Sequence, residues 1–171
     1  TKDILYGLAV DIGTTTVCGV LINLNTGEVI ADASEYNGQI QYGEDVISRI
    51  VYSQRPGGLK ALQERVVHTM NNVIETICKK VSIAHDDISY IMAAGNTTMS
   101  HLLLGLNPKF VREAPYTPTC NQYPVTSASS VGITAHPSVR LFPDPPVASY
   151  VGGDIFAGLL ACQTVQRPGL T

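Results

Sequence analysis

The sequence predicts an α/β fold, a mixed β-sheet with helices on both faces, and three observations carry that expectation. Three short apolar runs follow one another closely, at residues 4–10, 17–22 and 29–33. The period then lengthens, and from Leu62 to Val81 apolar side chains recur every three or four residues, as on one face of a helix. Beyond that helix, apolar strand-like and helix-like stretches alternate to the end of the chain.

The first run, Ile4-Leu5-Tyr6-Gly7-Leu8-Ala9-Val10, is apolar throughout and short, as in a strand buried on both faces. Val17-Cys18-Gly19-Val20-Leu21-Ile22 makes a second strand, Asn25-Thr26-Gly27-Glu28 a hairpin turn, and residues 29–33 a third strand. Tight connections make these an antiparallel meander. A short helix is expected over residues 44–53 with Val46, Ile47, Ile50 and Val51 on one face, and a long one over 59–81. Residues 88–94 read as a strand and 98–104 as a short helix. From 107 to 146 the composition shifts to Pro, Ser and Thr; this is read as an ordered insertion with extended segments at 130–133 and 139–142. A strand at 147–151 and a helix from Asp154 to about Val165 close the series. Three antiparallel strands followed by alternating helices and strands give a ribonuclease H-like topology.

Composition narrows the function classes. The chain has 171 residues, 44% apolar and 15% charged, which suits one domain with its own core. A net charge of -3 offers no footprint for a nucleic acid backbone or an anionic membrane, and no apolar run approaches the ~20 residues of a membrane span. The start, Thr1-Lys2-Asp3, lacks a Met and an apolar leader and reads as a piece of something longer. Cys18, Cys78, Cys120 and Cys162 form no C-x-x-C pair, so a zinc or iron–sulfur site is not expected in this segment. Cys18, Cys78 and Cys162 read as small buried hydrophobes, and a reducing cytoplasm follows. His68, His85, His101 and His136 show no ligand spacing.

The chemistry-bearing element is Asp11-Ile12-Gly13-Thr14-Thr15-Thr16, between the first two strands. Gly13 permits a tight turn and close backbone approach. The amides and hydroxyls of Thr14, Thr15 and Thr16 suit phosphate oxygens, and Asp11 suits Mg²⁺ held through water. An ordinary hairpin with a polar turn is the plain alternative. Gly95-Asn96-Thr97-Thr98 follows a strand and precedes a helix, so Asn96 or Thr97 is suited to cap that helix or to line a cleft at the strand ends. Glu44 and Asp45 stand at a helix start, where negative charge is favourable without any further role. Arg49 faces either the cleft or the solvent.

Val10-Asp11-Ile12-Gly13-Thr14-Thr15-Thr16 resembles the first phosphate motif of the actin, sugar kinase and Hsp70 superfamily. Tyr42-Gly43-Glu44-Asp45-Val46-Ile47-Ser48-Arg49-Ile50, Ala94-Gly95-Asn96-Thr97-Thr98-Met99 and Tyr150-Val151-Gly152-Gly153-Asp154-Ile155-Phe156-Ala157-Gly158 narrow it. Together they look like the actin-like ATPase domain of the reductive activators of corrinoid proteins. The resemblance implies that residues 1–171 are the first lobe of that domain, with the second lobe outside the sequence. It implies ATP and Mg²⁺ as ligands, held by Asp11, Gly13, Thr14, Thr15, Thr16, Gly95, Asn96, Thr97, Gly152 and Gly153. Asp11 and Asp154 are the catalytic candidates; Asp154 would orient the nucleophile, and helix capping explains it equally.

The partner implied is a corrinoid protein of a methyltransferase system. The electrons would come from an iron–sulfur domain elsewhere in the full chain, and a homodimer is compatible. The lobe alone is expected to bind ATP weakly or undetectably and not to turn it over. A small-molecule kinase of the same superfamily, an activator of acyl-CoA dehydratases and a non-enzymatic docking module are the competing readings. The scattered cysteines weigh against the dehydratase activator.

Overall fold

The computed structural model describes residues 4–120 and 122–145. The expected meander is present: β1 (Tyr6–Ile12), β2 (Thr16–Asn23) and β3 (Glu28–Tyr36) pair antiparallel, with Leu8 opposite Leu21 and Leu21 opposite Ala31. After α1 (Val46–Ser53) and α2 (Gly58–Val81), β4 (Ile88–Gly95) returns parallel to β1. Then come α3 (Thr97–Leu103), α4 (Lys109–Arg112), β5 (Thr126–Ser127) and β6 (Arg140–Pro143), the last parallel to β4. The sheet order is β3-β2-β1-β4-β6-β5, the expected ribonuclease H-like arrangement. Because β1 and β4 are parallel neighbours from which the chain departs in opposite senses, their C-terminal ends open a crevice at a switch point of the sheet.

The core lies between the sheet and α2. The α2 stripe of Leu62, Val66, Met70, Val73, Ile74 and Ile77 is buried against Leu8, Val10, Ile12, Val17, Leu21 and Ile91. Removing a side chain of this kind costs about 2–5 kcal/mol, so this packing fixes the sheet that carries the crevice. α2 ends at Ser82 in the left-handed conformation, whose amide bonds back to the Cys78 carbonyl, with Lys79 and Lys80 in the last turn where the helix dipole favours them.

Strand alternation puts Ala9, Asp11, Cys18, Ile22, Tyr90 and Met92 on the opposite face. Cys18, expected to be buried, is exposed, because the period of two turns it away from the α2 side to which Val17 and Gly19 belong. On this second face Ala9, Ile22, Leu24, Tyr90, Met92 and Phe142 line an apolar groove of about 320 Å³. The predicted strand at 147–151, the helix at 154–165, Gly152, Gly153, Asp154 and Cys162 lie outside the described residues.

Two local expectations are corrected. α1 does not bury the predicted stripe: Ile47 and Val51 are 50% and 44% exposed, while Arg49, Ile50 and Ser53 face inward. Residues 128–131 form a 3₁₀ turn ending at Gly132 (φ 95°) instead of a strand at 130–133. No helix of the described residues is long and apolar enough to cross a membrane.

Candidate functional site

β1 runs through Ile12 and β2 begins at Thr16, so the turn consists of Gly13, Thr14 and Thr15. Gly13 N–H donates to the Thr16 carbonyl at 3.0 Å and closes it. A Cβ on Gly13 would stand 2.6 Å from that same oxygen, so only glycine fits without moving backbone. Asp11 sits just before the turn, exposed, opposite Cys18 on one side and Ala94 on the other.

Donors from behind take all three carbonyls of the turn. Asn37 Nδ2 donates to Gly13 O at 2.9 Å, Arg49 Nη2 to Thr14 O at 2.6 Å, and Asn37 N to Thr15 O at 2.8 Å. In a planar trans peptide the N–H points opposite to the C=O. Carbonyls of Gly13 and Thr14 tied to the interior therefore turn the amides of Thr14 and Thr15 the other way, a placement suited to an anion-binding nest.

The tethers stand on a fully buried polar floor. Arg49 Nε donates to Gly43 O at 2.9 Å and Nη1 to Gln39 Oε1 at 3.1 Å, and Gln39 Nε2 donates to Leu62 O at 2.9 Å. Asn37, Gln39 and Arg49 are each 0% exposed. Burial lowers the Arg49 pKa to about 10, which leaves the guanidinium cationic at neutral pH. The sequence left Arg49 undecided between cleft and solvent; it lies beneath the turn. Asn37 and Gln39 were missed. The visible signal was an Asn-Gly pair directly after a strand with Gln next, which reads as a surface turn because its acceptors lie far away in the sequence.

The second half of the site comes from β4. Pairing of Ile12 with Gly95 lays the two strand ends side by side, and a Cβ at Gly95 would come within 3.1 Å of the Ile12 carbonyl. Asn96 is the N-cap of α3: its Oδ1 accepts from Met99 N at 3.0 Å, while Nδ2 donates to Thr14 Oγ1 at 3.3 Å. Capping and contact with the turn are thus one arrangement. Thr97, named at the ligand by the resemblance, is the first residue of α3 and is fully buried.

Across from Asn96, Asp45 caps α1 by accepting from Ser48 N at 2.7 Å, the bond that holds its carboxyl below the usual range. Thr14, Glu44, Asp45, Ile47, Asn96 and Thr98 line a groove of about 450 Å³. One wall offers amides and hydroxyls and the other carboxylates, so an anionic tail is favoured only on the Thr14 side. Among the described residues no group of three His, Cys, Asp or Glu forms a metal-binding cluster. Asp11, a single exposed carboxylate beside the turn, fits Mg²⁺ whose other ligands are phosphate oxygens and water, its usual coordination.

Residues 6–167 match the family described as RACo middle region. The chain is 37% identical over 157 residues to the corrinoid activation enzyme RamQ of Eubacterium limosum, covering 91% of this chain and 26% of RamQ. It is similar to the solved structure of a reductive activator for corrinoid, iron–sulfur protein, with a TM-score of 0.95 and 38% identity over 99% of this chain and 27% of that one. The chain thus spans about a quarter of the length of either relative.

Proposed function

The chain belongs to the RACo middle region family, and on that premise we propose that it is the phosphate-binding lobe of an enzyme that uses ATP to drive reductive activation of a corrinoid protein. The observation that carries this reading is the turn, whose carbonyls are tied inward by Asn37 and Arg49 while the amides of Thr14 and Thr15 face away.

In this reading the amides of Thr14 and Thr15 and the Thr14 hydroxyl bind the polyphosphate tail. Asn96 fixes the rotamer of Thr14 through its Oγ1. Mg²⁺, when bound, offsets the negative charge of the tail, and Asp11 is the residue that would hold it through water. Gly95 keeps the backbones of β4 and β1 close enough for both strand ends to serve one ligand, and Gly13 keeps the β1–β2 turn closed. The nest is built before the ligand arrives, so little ordering cost falls on binding.

Asp154, Gly152 and Gly153 would complete the site from the next segment, with Asp154 orienting the nucleophile at the γ-phosphate. Occupancy of the nest would favour one arrangement of this lobe against a second one, and hydrolysis would release it. That exchange would gate electron transfer from an iron–sulfur domain elsewhere in the full chain to the cobalt of a corrinoid protein serving a methyltransferase. Assembly as a homodimer is compatible with this scheme.

The full-length protein with Mg-ATP, a reductant and an oxidised corrinoid protein tests the proposal. Native protein should give reduced corrinoid, followed by absorbance, and free phosphate. Asp11→Ala should lose both by at least about tenfold, the cost of one charge-assisted contact. Undiminished activation in that variant, or a phosphorylated small molecule in place of free phosphate, would overturn it.

A further inference from the structure

Arg49 is the strangest side chain in the described core. It is fully buried, yet each acceptor it reaches is neutral: the Gly43 carbonyl at 2.9 Å, Gln39 Oε1 at 3.1 Å, Met99 Sδ at 3.4 Å and the Thr14 carbonyl at 2.6 Å. The ion pairs among the described residues join lysines to glutamates on helix surfaces and do not involve Arg49. Asp45, one turn earlier in the chain, is exposed and its carboxylate serves the amide of Ser48. Asp45 favours the guanidinium through space, but no carboxylate among the described residues is ion-paired with it. Taking a cation out of water without such a pair is costly, and an apolar side chain of similar length would fill the space without that cost.

The position of the charge supplies a reason. Its shortest bond is to the Thr14 carbonyl, and the other end of that same peptide unit is the outward amide of Thr15. A cation hydrogen-bonded to a carbonyl pulls electron density through the peptide and makes the N–H at its far end a stronger donor. With Asn37 fixing the carbonyls on either side, the turn cannot swing to escape the guanidinium.

We infer that Arg49 is a positioning residue that sets phosphate affinity at one remove, by holding the Thr14–Thr15 peptide with its amide outward and polarising it with a buried positive charge. This rests on the phosphate reading of the turn and adds the group that tunes it. The role needs both the guanidinium's reach and its charge. Lysine keeps the charge but cannot serve Gly43, Gln39 and Thr14 together in a fixed fork; methionine fills the volume and keeps neither.

Calorimetric titration of the full-length protein with Mg-ATP, comparing native, Arg49→Lys and Arg49→Met, tests this. Affinity should fall about tenfold in the lysine variant and about 100-fold in the methionine variant, the range expected for losing charge-assisted hydrogen bonding. A methionine variant that binds as tightly as the lysine variant or tighter would show that the buried charge plays no part and would overturn the inference. Should Arg49→Met not fold, Arg49→Lys decides alone. Weaker Mg-ATP binding with faster amide exchange at residues 13–16 supports the role, and native values of both overturn it. Failure of the native protein to bind Mg-ATP would bring down the phosphate reading, and this inference with it.

Discussion

Replacing Gly13 by alanine adds one methyl carbon at the narrowest point of the site. That carbon would stand 2.6 Å from the Thr16 carbonyl oxygen, roughly 0.7–1.0 Å short of an unstrained C···O contact. No rotamer relieves the clash, since the obstacle is backbone and that oxygen already accepts from Gly13 N at 3.0 Å. The turn must open, and opening it breaks the closing bond or pulls the Gly13 and Thr14 carbonyls off Asn37 and Arg49. Overpacking of this size costs about 1–3 kcal/mol in stability. A displacement near 1 Å at a ligand-positioning element costs about 100-fold in function. Titration of full-length Gly13→Ala protein with Mg-ATP should therefore show affinity reduced about 10- to 100-fold, beside a modest loss in thermal unfolding temperature. Binding within twofold of native, in a protein that melts at the native temperature, would refute the claim that the turn is held as a fixed cradle.

Two further outcomes follow from buried titratable groups. His101 is fully buried; its Nε2 accepts from Thr119 N at 3.1 Å and its Nδ1 lies 2.7 Å from the Thr97 carbonyl, so the neutral ring ties α3 to the segment after α4. Burial lowers its pKa, so below about pH 6.5 the unfolded chain takes up a proton that the folded one resists. Stability should be fully present above that pH and fall by up to roughly 1 kcal/mol between pH 6.5 and 5.5, in urea unfolding of native protein but not of His101→Gln; a flat native profile would contradict it. The Cys78 thiol lies buried on the core side of α2, and desolvation pushes its pKa up. It should resist iodoacetamide at pH 8 until the protein unfolds, as mass spectrometry of timed samples would show; alkylation at the rate of a free thiol would count against the packing described.

The strands of the meander, the long helix and β4 were legible because burial on one face writes its own period into the sequence. Gly13 and Asn96 were legible too, since a turn between two apolar strands and a cap before an apolar helix each demand a narrow set of residues. Arg49 was not. A charge in a periodic stretch reads as a mark of the solvent side, and the apolar period groups Val46, Ile47, Ile50 and Val51 on one face of α1. The real helix is turned so that its arginine reaches the β1–β2 turn, leaving Ile47 and Val51 outside. Asn37 and Gln39 escaped for a related reason: their partners are main-chain carbonyls at Gly13 and Leu62, and a carbonyl leaves no trace in a sequence. Cys18 was misplaced because an all-apolar strand does not reveal which of its two faces each residue takes.

A preformed cradle in the β1–β2 turn for the phosphates of ATP is the central element of the proposed function. Hydrogen exchange of the full-length protein, read by mass spectrometry with and without Mg²⁺ and a non-hydrolysable ATP analogue, addresses it directly. Peptides spanning residues 12–17 should gain protection with the analogue and none with adenosine. Unchanged exchange there, with protection appearing elsewhere in the chain, would show that the nucleotide binds and the turn does not hold it.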